Sequence, residues 1–329
     1  KLIKYLLGDK NNFFLDNLKI NIFDKDKSII SVKDIKFSNF GYKKNKVSGE
    51  VFEKKFKIRI DNKFENINFK LLKTGIDTDI YLKKKKKNFI SGVFKSKILK
   101  TNVKFDFDYD AKLFNINNLF LRNKNLSLNS KSVIKLDPFF DINSKIDVDG
   151  INPKLFSNFN FFKLFKSKKI FQRINSNNEI NFKSKNFKRN FFEKLNLTIN
   201  LAYGRMNYKK KVFMGKSLFQ CEGVINLLEE FPILFFNCEI ISDDKKEFLA
   251  KFDIKSKKNN ETFKIEFTGN MNVLNEKINF KKIIMNKNYK ASAEDLKYFK
   301  SSFEKLVFDT GFVEIFNLKK MRKFILEVS

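Results

Sequence analysis

The sequence predicts a mainly β fold. It reads as an elongated, curved antiparallel β-sheet, open like a groove or an unclosed barrel, with a central helical segment and a C-terminal helical hairpin. Three observations predict it. Apolar and polar residues alternate along most of the chain, polar breaks separate the alternating stretches, and only three segments depart from the pattern. A period of two sends successive side chains to opposite sheet faces, so alternation means a strand with one dry and one wet face. Val103-Lys-Phe105-Asp-Phe107-Asp-Tyr109-Asp110 shows it most cleanly.

Each element follows from local spacing. Leu18/Ile20/Ile22, Phe56/Ile58/Ile60 and Ile67/Phe69/Leu71 mark strands in the first third. Leu126/Leu128, Ile134/Leu136 and Ile146/Val148 mark them in the middle. Leu197/Ile199/Leu201/Tyr203, Phe248/Ala250/Phe252/Ile254 and Phe263/Ile265/Phe267 mark later ones. Breaks such as Asn123-Lys-Asn125 and Lys257-Lys-Asn-Asn260 suit the short turns of a meander. Asn152-Pro153 has the form of a helix start, and Leu155, Phe159 and Phe162 follow at helical spacing, so residues 153 to about 173 read as helical. Ser292-Ala-Glu-Asp295 is a loose capping box ahead of Leu296, Phe299, Phe303 and Leu306. Gly311 suits the end of that helix. Phe312, Ile315, Phe316, Met321, Phe324 and Ile325 then suggest a second one. The expected organisation is a β-meander over 1–151, a helical insertion with its connecting segment over 152–195, further sheet over 196–290 and C-terminal helices over 291–329. Ser48-Gly-Glu-Val51-Phe52 resembles Ser91-Gly-Val93-Phe94, a weak internal repeat that fits a sheet built from recurring strand groups.

Composition narrows the function. The 329 residues hold 43 Phe, no His and no Trp, with a net charge of +31. Without His there is no Ser-His-Asp triad, no Cys-His pair and no His-ligated metal. Two Cys cannot build a four-thiolate site, and no Gly-rich phosphate loop exists. The chain therefore reads as a non-enzyme with no cofactor, no metal and no catalytic residue. Asp106, Asp108 and Asp110, like Asp147 and Asp149, lack the spacing of a calcium loop and read as a polar sheet face opposite lysines. Lys83, Lys84, Lys85, Lys86 and Lys87 form a run that either contacts phosphates or anionic headgroups or is a solvated loop tip. The alternative function is a basic nucleic-acid-binding protein with a non-specific Lys-rich surface. Few of the cations are Arg, which argues against base readout and leaves backbone phosphate contact open. The Phe pattern suits an apolar face better than a base-stacking platform, so nucleic acid is the less favoured partner.

Cys221 and Cys238 fall in Ser217–Val224 and Pro232–Ile241, candidate neighbouring strands, and are either a disulfide or two buried thiols. No run of about 18 apolar residues exists to span a membrane as a helix. The chain opens on Lys1 and reads as a fragment or processed product, with any anchor lying upstream.

A large apolar strand face must be buried against something. With few helices to cover it, the sheet is expected to curl into a groove whose lining lodges acyl chains, with free energy scaling with contact area. The lining expected from parity is Val103, Phe105, Phe107, Tyr109, Ile134, Leu136, Ile146, Val148, Leu197, Ile199, Leu201, Phe252, Ile254, Phe263, Ile265 and Phe267.

The order of several short motifs resembles AsmA-like proteins, particularly their C-terminal region. They are Gly92-Val-Phe-Lys-Ser-Lys97 leading to Val103–Asp110, Leu136-Asp-Pro-Phe-Phe-Asp-Ile142, Ile151-Asn-Pro153, Asn178-Glu-Ile-Asn-Phe182 and Leu201-Ala-Tyr-Gly204. Phe219-Gln-Cys-Glu-Gly-Val-Ile-Asn-Leu227 and Met285-Asn-Lys-Asn-Tyr-Lys-Ala-Ser-Ala-Glu-Asp-Leu296 continue the series. The resemblance implies an AsmA-like or TamB-like periplasmic protein of repeating β-groove units, tethered to the bacterial inner membrane by an N-terminal helix that this chain lacks. It implies movement of phospholipids between the inner and outer membranes, outer-membrane assembly and homeostasis, and no catalytic residues. Implied partners are phospholipid acyl chains, the membrane, and an envelope protein meeting the C-terminal helices at 294–328.

Overall fold

The computed structural model of the chain describes residues 12–24, 27–86, 89–137, 140–151, 174–183, 193–255, 261–307 and 318–328. The chain is mainly β, as the alternation predicts. Its residues divide into two compact units, 1–123 and 124–329.

The first unit contains nine strands. They are β1 (Phe14–Asp24), β2 (Lys27–Ser38), β3 (Lys46–Val51), β4 (Lys54–Ile60), β5 (Asn66–Leu71), β6 (Ile76–Lys86), β7 (Phe89–Ile98), β8 (Thr101–Asp110) and β9 (Leu113–Arg122). Each pairs antiparallel with the next. The connections are short. Phe52 and Glu53, between β3 and β4, lie at φ 49° and 60°, the positive values that a type I′ hairpin turn requires at both central positions. Among the described residues the buried apolar side chains of this unit are few: Ile35, Phe37, Phe56 and Ile60. Among the described residues its only helix is a single 3₁₀ turn, Gly41–Lys43.

The described residues of the second unit form ten strands. They are β10 (Leu126–Lys135), β11 (Phe140–Ile151), β12 (Ile174–Lys183), β13 (Lys194–Ala202), β14 (Arg205–Met214), β15 (Ser217–Asn226), β16 (Ile233–Ser242), β17 (Phe263–Asn272), β18 (Lys277–Met285) and β19 (Tyr289–Lys290). Three helices accompany them among the described residues: α1 (Lys245–Lys251), α2 (Ala293–Val307) and α3 (Leu318–Val328). Consecutive strands pair antiparallel with one exception. β11 and β12 run parallel, which corrects the wholly antiparallel expectation and makes the sheet mixed. A parallel return needs a connection of a dozen residues or more, and residues 152–173 supply that length. The helix expected at 153–173 lies outside the described residues. Among the described strands, the first of each unit does not pair with its last.

Two further expectations change. Leu126/Leu128 and Ile134/Leu136 belong to one strand region rather than two: Leu126, Leu128 and Ile134 lie on β10, and Leu136 follows its end. The strand expected at Phe248–Ile254 is the helix α1 and its exit. The apolar residues there satisfy two periods, because Phe248 and Phe252 are four apart, with Leu249 completing a helical face. The start signal decides the outcome. Asp244 caps α1 by accepting a hydrogen bond from the Glu247 backbone N–H at 2.9 Å. That bond is the main cause holding the Asp244 carboxyl below its usual range.

The helices pack on the sheet. Phe248, Leu249 and Phe252 join Val212, Met214 and Phe263 in one buried cluster, with Ile254, Ile265 and Ile325 against it. Leu296, Phe299 and Phe303 of α2 pack on a second cluster of Met271, Ile278 and Phe280. The expected capping box is present: the Asp295 N–H donates to Ser292 Oγ at 3.1 Å and the Ser292 N–H to Asp295 Oδ2 at 2.8 Å. The Phe303 and Phe324 rings join α2 to α3, 5.4 Å apart and perpendicular. Gly311, expected to end the first of these helices, lies outside the described residues.

Candidate apolar binding face

The strand registers decide which side chains share a face, because directly paired residues project to the same side. In the first unit, Phe105 pairs with Phe94, Phe107 with Gly92 and Tyr109 with Ile90. Phe94 in turn pairs with Ile80, and Phe107 and Tyr109 pair with Ile116 and Phe114 on β9. Val103, Phe105, Phe107 and Tyr109 therefore lie on one continuous apolar face, as expected. Their rings interlock. Phe94 stacks on Phe105 at 4.6 Å, Phe105 meets Phe107 at 6.3 Å, and Phe114 lies 5.7 Å from Phe107 and 6.3 Å from Tyr109. All five rings remain half-buried. No α-helix lies in this unit's described residues to complete their burial.

The opposite face of β6 to β9 carries the charged residues, with Tyr81, Val93 and Phe120 among them, and its carboxylates are paired. Asp106 meets Lys83 at 3.6 Å, and Asp108 accepts from Asn117 Nδ2 at 2.9 Å. Asp110 accepts from the backbone N–H groups of Lys112 and Leu113, and these bonds hold its carboxyl below the usual range. Asp147 and Asp149 accept from Asn181 and Asn129 in the second unit. The described residues hold no cluster of carboxylates placed for a metal. The lysine run is not a loop tip. Lys83, Lys84, Lys85 and Lys86 belong to β6, with a register shift between Leu82 and Lys84. The side chains of Lys84–Lys86, and Lys87 entirely, lie outside the described residues.

In the second unit Ile146 and Val148 pair with Ile180 and Phe182, which pair with Leu197 and Leu195. Ile134 enters the same face through Ile142, and Ile199 and Leu201 lie alongside on β13. The face continues through Val212, Phe219 and Ile240 to Phe263, Ile265 and Phe267. Here the expected lining splits. Among the described residues Ile134, Ile146 and Val148 lie on strands that no helix-covered cluster reaches, while Leu197, Ile199 and Leu201 lie on β13, whose Leu195 packs against the cluster that α1 covers. Phe263, Ile265 and Phe267 pack within the two helix-covered clusters. Phe252 and Ile254 are off the strands altogether and form part of the covering layer. Leu136, 38% exposed, stands beyond the end of β10.

Cys221 and Cys238 are directly paired on β15 and β16, their Cα atoms 4.0 Å apart, and the two sulfurs are bonded. The Tyr208 hydroxyl approaches Cys221 Sγ at 3.4 Å, and burial pushes its pKa up to about 12.

Among the residues on this face that sequence reasoning passed over, Lys210 differs in kind. Lys210 pairs with Leu197 on one side and Cys221 on the other. Following the registers from β10 to β18, it is the one formally charged residue among the described positions on the apolar side. Its ammonium lies over the Phe219 ring, 4.7 Å from the centroid. Burial pushes its pKa down to about 8.

No protein-family model matches the chain, and no curated protein matches it.

Proposed function

We propose that this chain is a non-enzymatic lipid-contact protein of the bacterial envelope, the periplasmic part of an AsmA-like protein that holds phospholipid acyl chains between the inner and outer membranes. The observation that carries the reading is the ring-lined face of β6 to β9. Phe94, Phe105, Phe107, Tyr109 and Phe114 form a contiguous apolar surface whose rings stay half-buried. Acyl chains suit such a surface because their burial is non-directional and needs no fixed polar partner. The polar side with its paired lysines and carboxylates would remain in water. The bonded cysteine pair suits an oxidising compartment such as the periplasm.

Native mass spectrometry of the gently extracted protein, with identification of the released lipid, tests this. Near-stoichiometric phospholipid is expected, and it should be lost in the double variant Phe105→Asp, Phe107→Asp while circular dichroism still shows a folded sheet. A protein that emerges lipid-free and carries nucleic acid would instead favour the basic-surface alternative.

A further inference from the structure

We infer that Lys210 is the docking point for the carboxylate of a free long-chain fatty acid, whose tail lies along the neighbouring apolar residues of β13 and β12. This rests on the reading that the face takes acyl chains, and it adds the head group that the second unit selects.

The argument starts from position. Lys210 sits near the middle of β14, with Leu197 beside it on β13 and Cys221 and Phe219 on β15. A cation here costs free energy unless an anion accompanies it. Among the described residues the groups facing Lys210 offer none. β13 presents Leu197 and Ile199, β15 presents Phe219 and the bonded Cys221, and β14 itself presents Tyr208 and Val212. The carboxylates nearby in sequence, such as Glu222, are on the opposite side, where Glu222 meets Lys209 at 3.7 Å. The ammonium contacts the Phe219 ring, and a ring face replaces only part of an anion's attraction.

One ammonium and one nearby phenol match a small monoanionic oxygen group attached to an apolar chain. A carboxylate fits that description with nothing further to solvate. A phospholipid head would press its remaining polar atoms against Leu197 and Phe219, where no partner waits for them. The tail has a path on the same face through Leu197, Ile180 and Ile146, which the registers align in a row.

The experiment uses the whole chain at about pH 7 with cis-parinaric acid and its methyl ester, two fluorescent probes that differ only in the head group. The acid should bind the wild-type protein at least about ten-fold more tightly than the ester. In Lys210→Met the acid should fall to the ester's affinity while the ester stays unchanged, and Lys210→Arg should retain most of the preference. Met at this position replaces a charge on an apolar face, so the variant is expected to fold. Equal binding of acid and ester by the wild-type protein would overturn the inference and leave the acyl-chain reading standing. Failure of both probes to bind would remove the acyl-chain reading itself. Displacement of the acid by phosphatidylglycerol at equal affinity, abolished in Lys210→Met, would overturn the choice of a carboxylate in favour of a phosphodiester head.

Discussion

The two units solve one problem in two ways. Both build a sheet with a long apolar side from the same alternating sequence pattern. In the second unit α1, α2 and α3 pack over the side formed by β14 to β18 and the Leu195 end of β13, and residues such as Phe263, Met271 and Phe280 fall below a tenth exposed. In the first unit the described residues supply no such layer, and the rings of β7, β8 and β9 stop at half-burial. The difference teaches that alternation specifies a face and leaves open what the face meets. A covered face contributes to stability, whereas a half-open one keeps part of its free energy for a ligand.

The largest expected effect tests that division directly. Phe248→Ala removes a ring that is 6% exposed and touches Phe252 and Phe263 at 5.2 and 5.0 Å. It should destabilise the protein by about 3–5 kcal/mol in urea unfolding, because both transfer free energy and a cavity are lost. Phe105→Ala removes a half-buried ring and should cost only about 1 kcal/mol, while weakening acyl-lipid binding more than Phe248→Ala does. Equal costs at the two positions would mean that the first unit's face is as fully packed as the second's.

Next in size is the pH dependence of Lys210, which sharpens the contrast within the second unit. Its folded pKa is about 8, below the ordinary 10.5 of an unfolded lysine. Below pH 8 both states hold the proton, and the folded state bears the full cost of a buried charge. Between about pH 8 and 10.5 the unfolded state binds more protons, so stability should rise with pH through that window. The gain is at most roughly 3 kcal/mol. Tyr208, held up near 12, begins to oppose the rise as the unfolded phenol ionises near pH 10, and that part is common to wild type and Lys210→Met. The checking measurement is the difference between wild type and Lys210→Met in chemical unfolding at pH 7.5 and pH 10, since the variant should lack this part of the rise. An unchanged difference would place the ammonium in water.

Much of this architecture was legible in the sequence. The run from Val103 to Asp110 announces β8 and its ring-bearing side without ambiguity, since every apolar residue has one parity. Ser292 and Asp295 announce the start of α2 with equal clarity. The α1 region was not legible from periodicity, because Phe248, Ala250, Phe252 and Ile254 obey a period of two while Phe248, Leu249 and Phe252 obey a helical one. Only the cap at Asp244 separates them. Lys210 was hidden for a simpler reason. Lys209, Lys210 and Lys211 stand in a row, and although Met206, Tyr208 and Val212 give Lys210 the inward parity, a lysine among lysines reads as one more solvated cation until the register with Leu197 and Cys221 places it. Which strand residues a helix would cover also lay beyond alternation, because Phe107 and Phe267 sit in the same local pattern and differ only in what folds back from a distance.

The smallest effect compares two glycines in matched settings. Gly92, on β7, lies beneath the Phe107 ring, and a Cβ added there would stand 2.8 Å from Phe107 Cζ and against the Tyr81 carbonyl oxygen. Gly269, on β17, lies beneath the Phe236 ring, where an added Cβ would stand 2.7 Å from Phe236 Cζ and against the Asn279 carbonyl oxygen. The backbone obstacle is thus the same in kind at both sites, and alanine at either should cost about 1–3 kcal/mol through overpacking. The rings differ in their freedom to yield. Phe236 is hemmed by Phe267 and Phe280 at 6.3 and 6.2 Å, inside a cluster that α2 covers. Phe107 has ring neighbours on its own sheet and no described helix above it, so it can swing toward the open side. Gly269→Ala should therefore cost more than Gly92→Ala, by about 1 kcal/mol, in parallel urea titrations. Added long-chain lipid should widen that gap's counterpart in the first unit, raising the penalty of Gly92→Ala, because a bound chain occupies the space into which Phe107 retreats. A Gly92→Ala penalty that matches Gly269→Ala without lipid and does not respond to it would show that the ring is already confined.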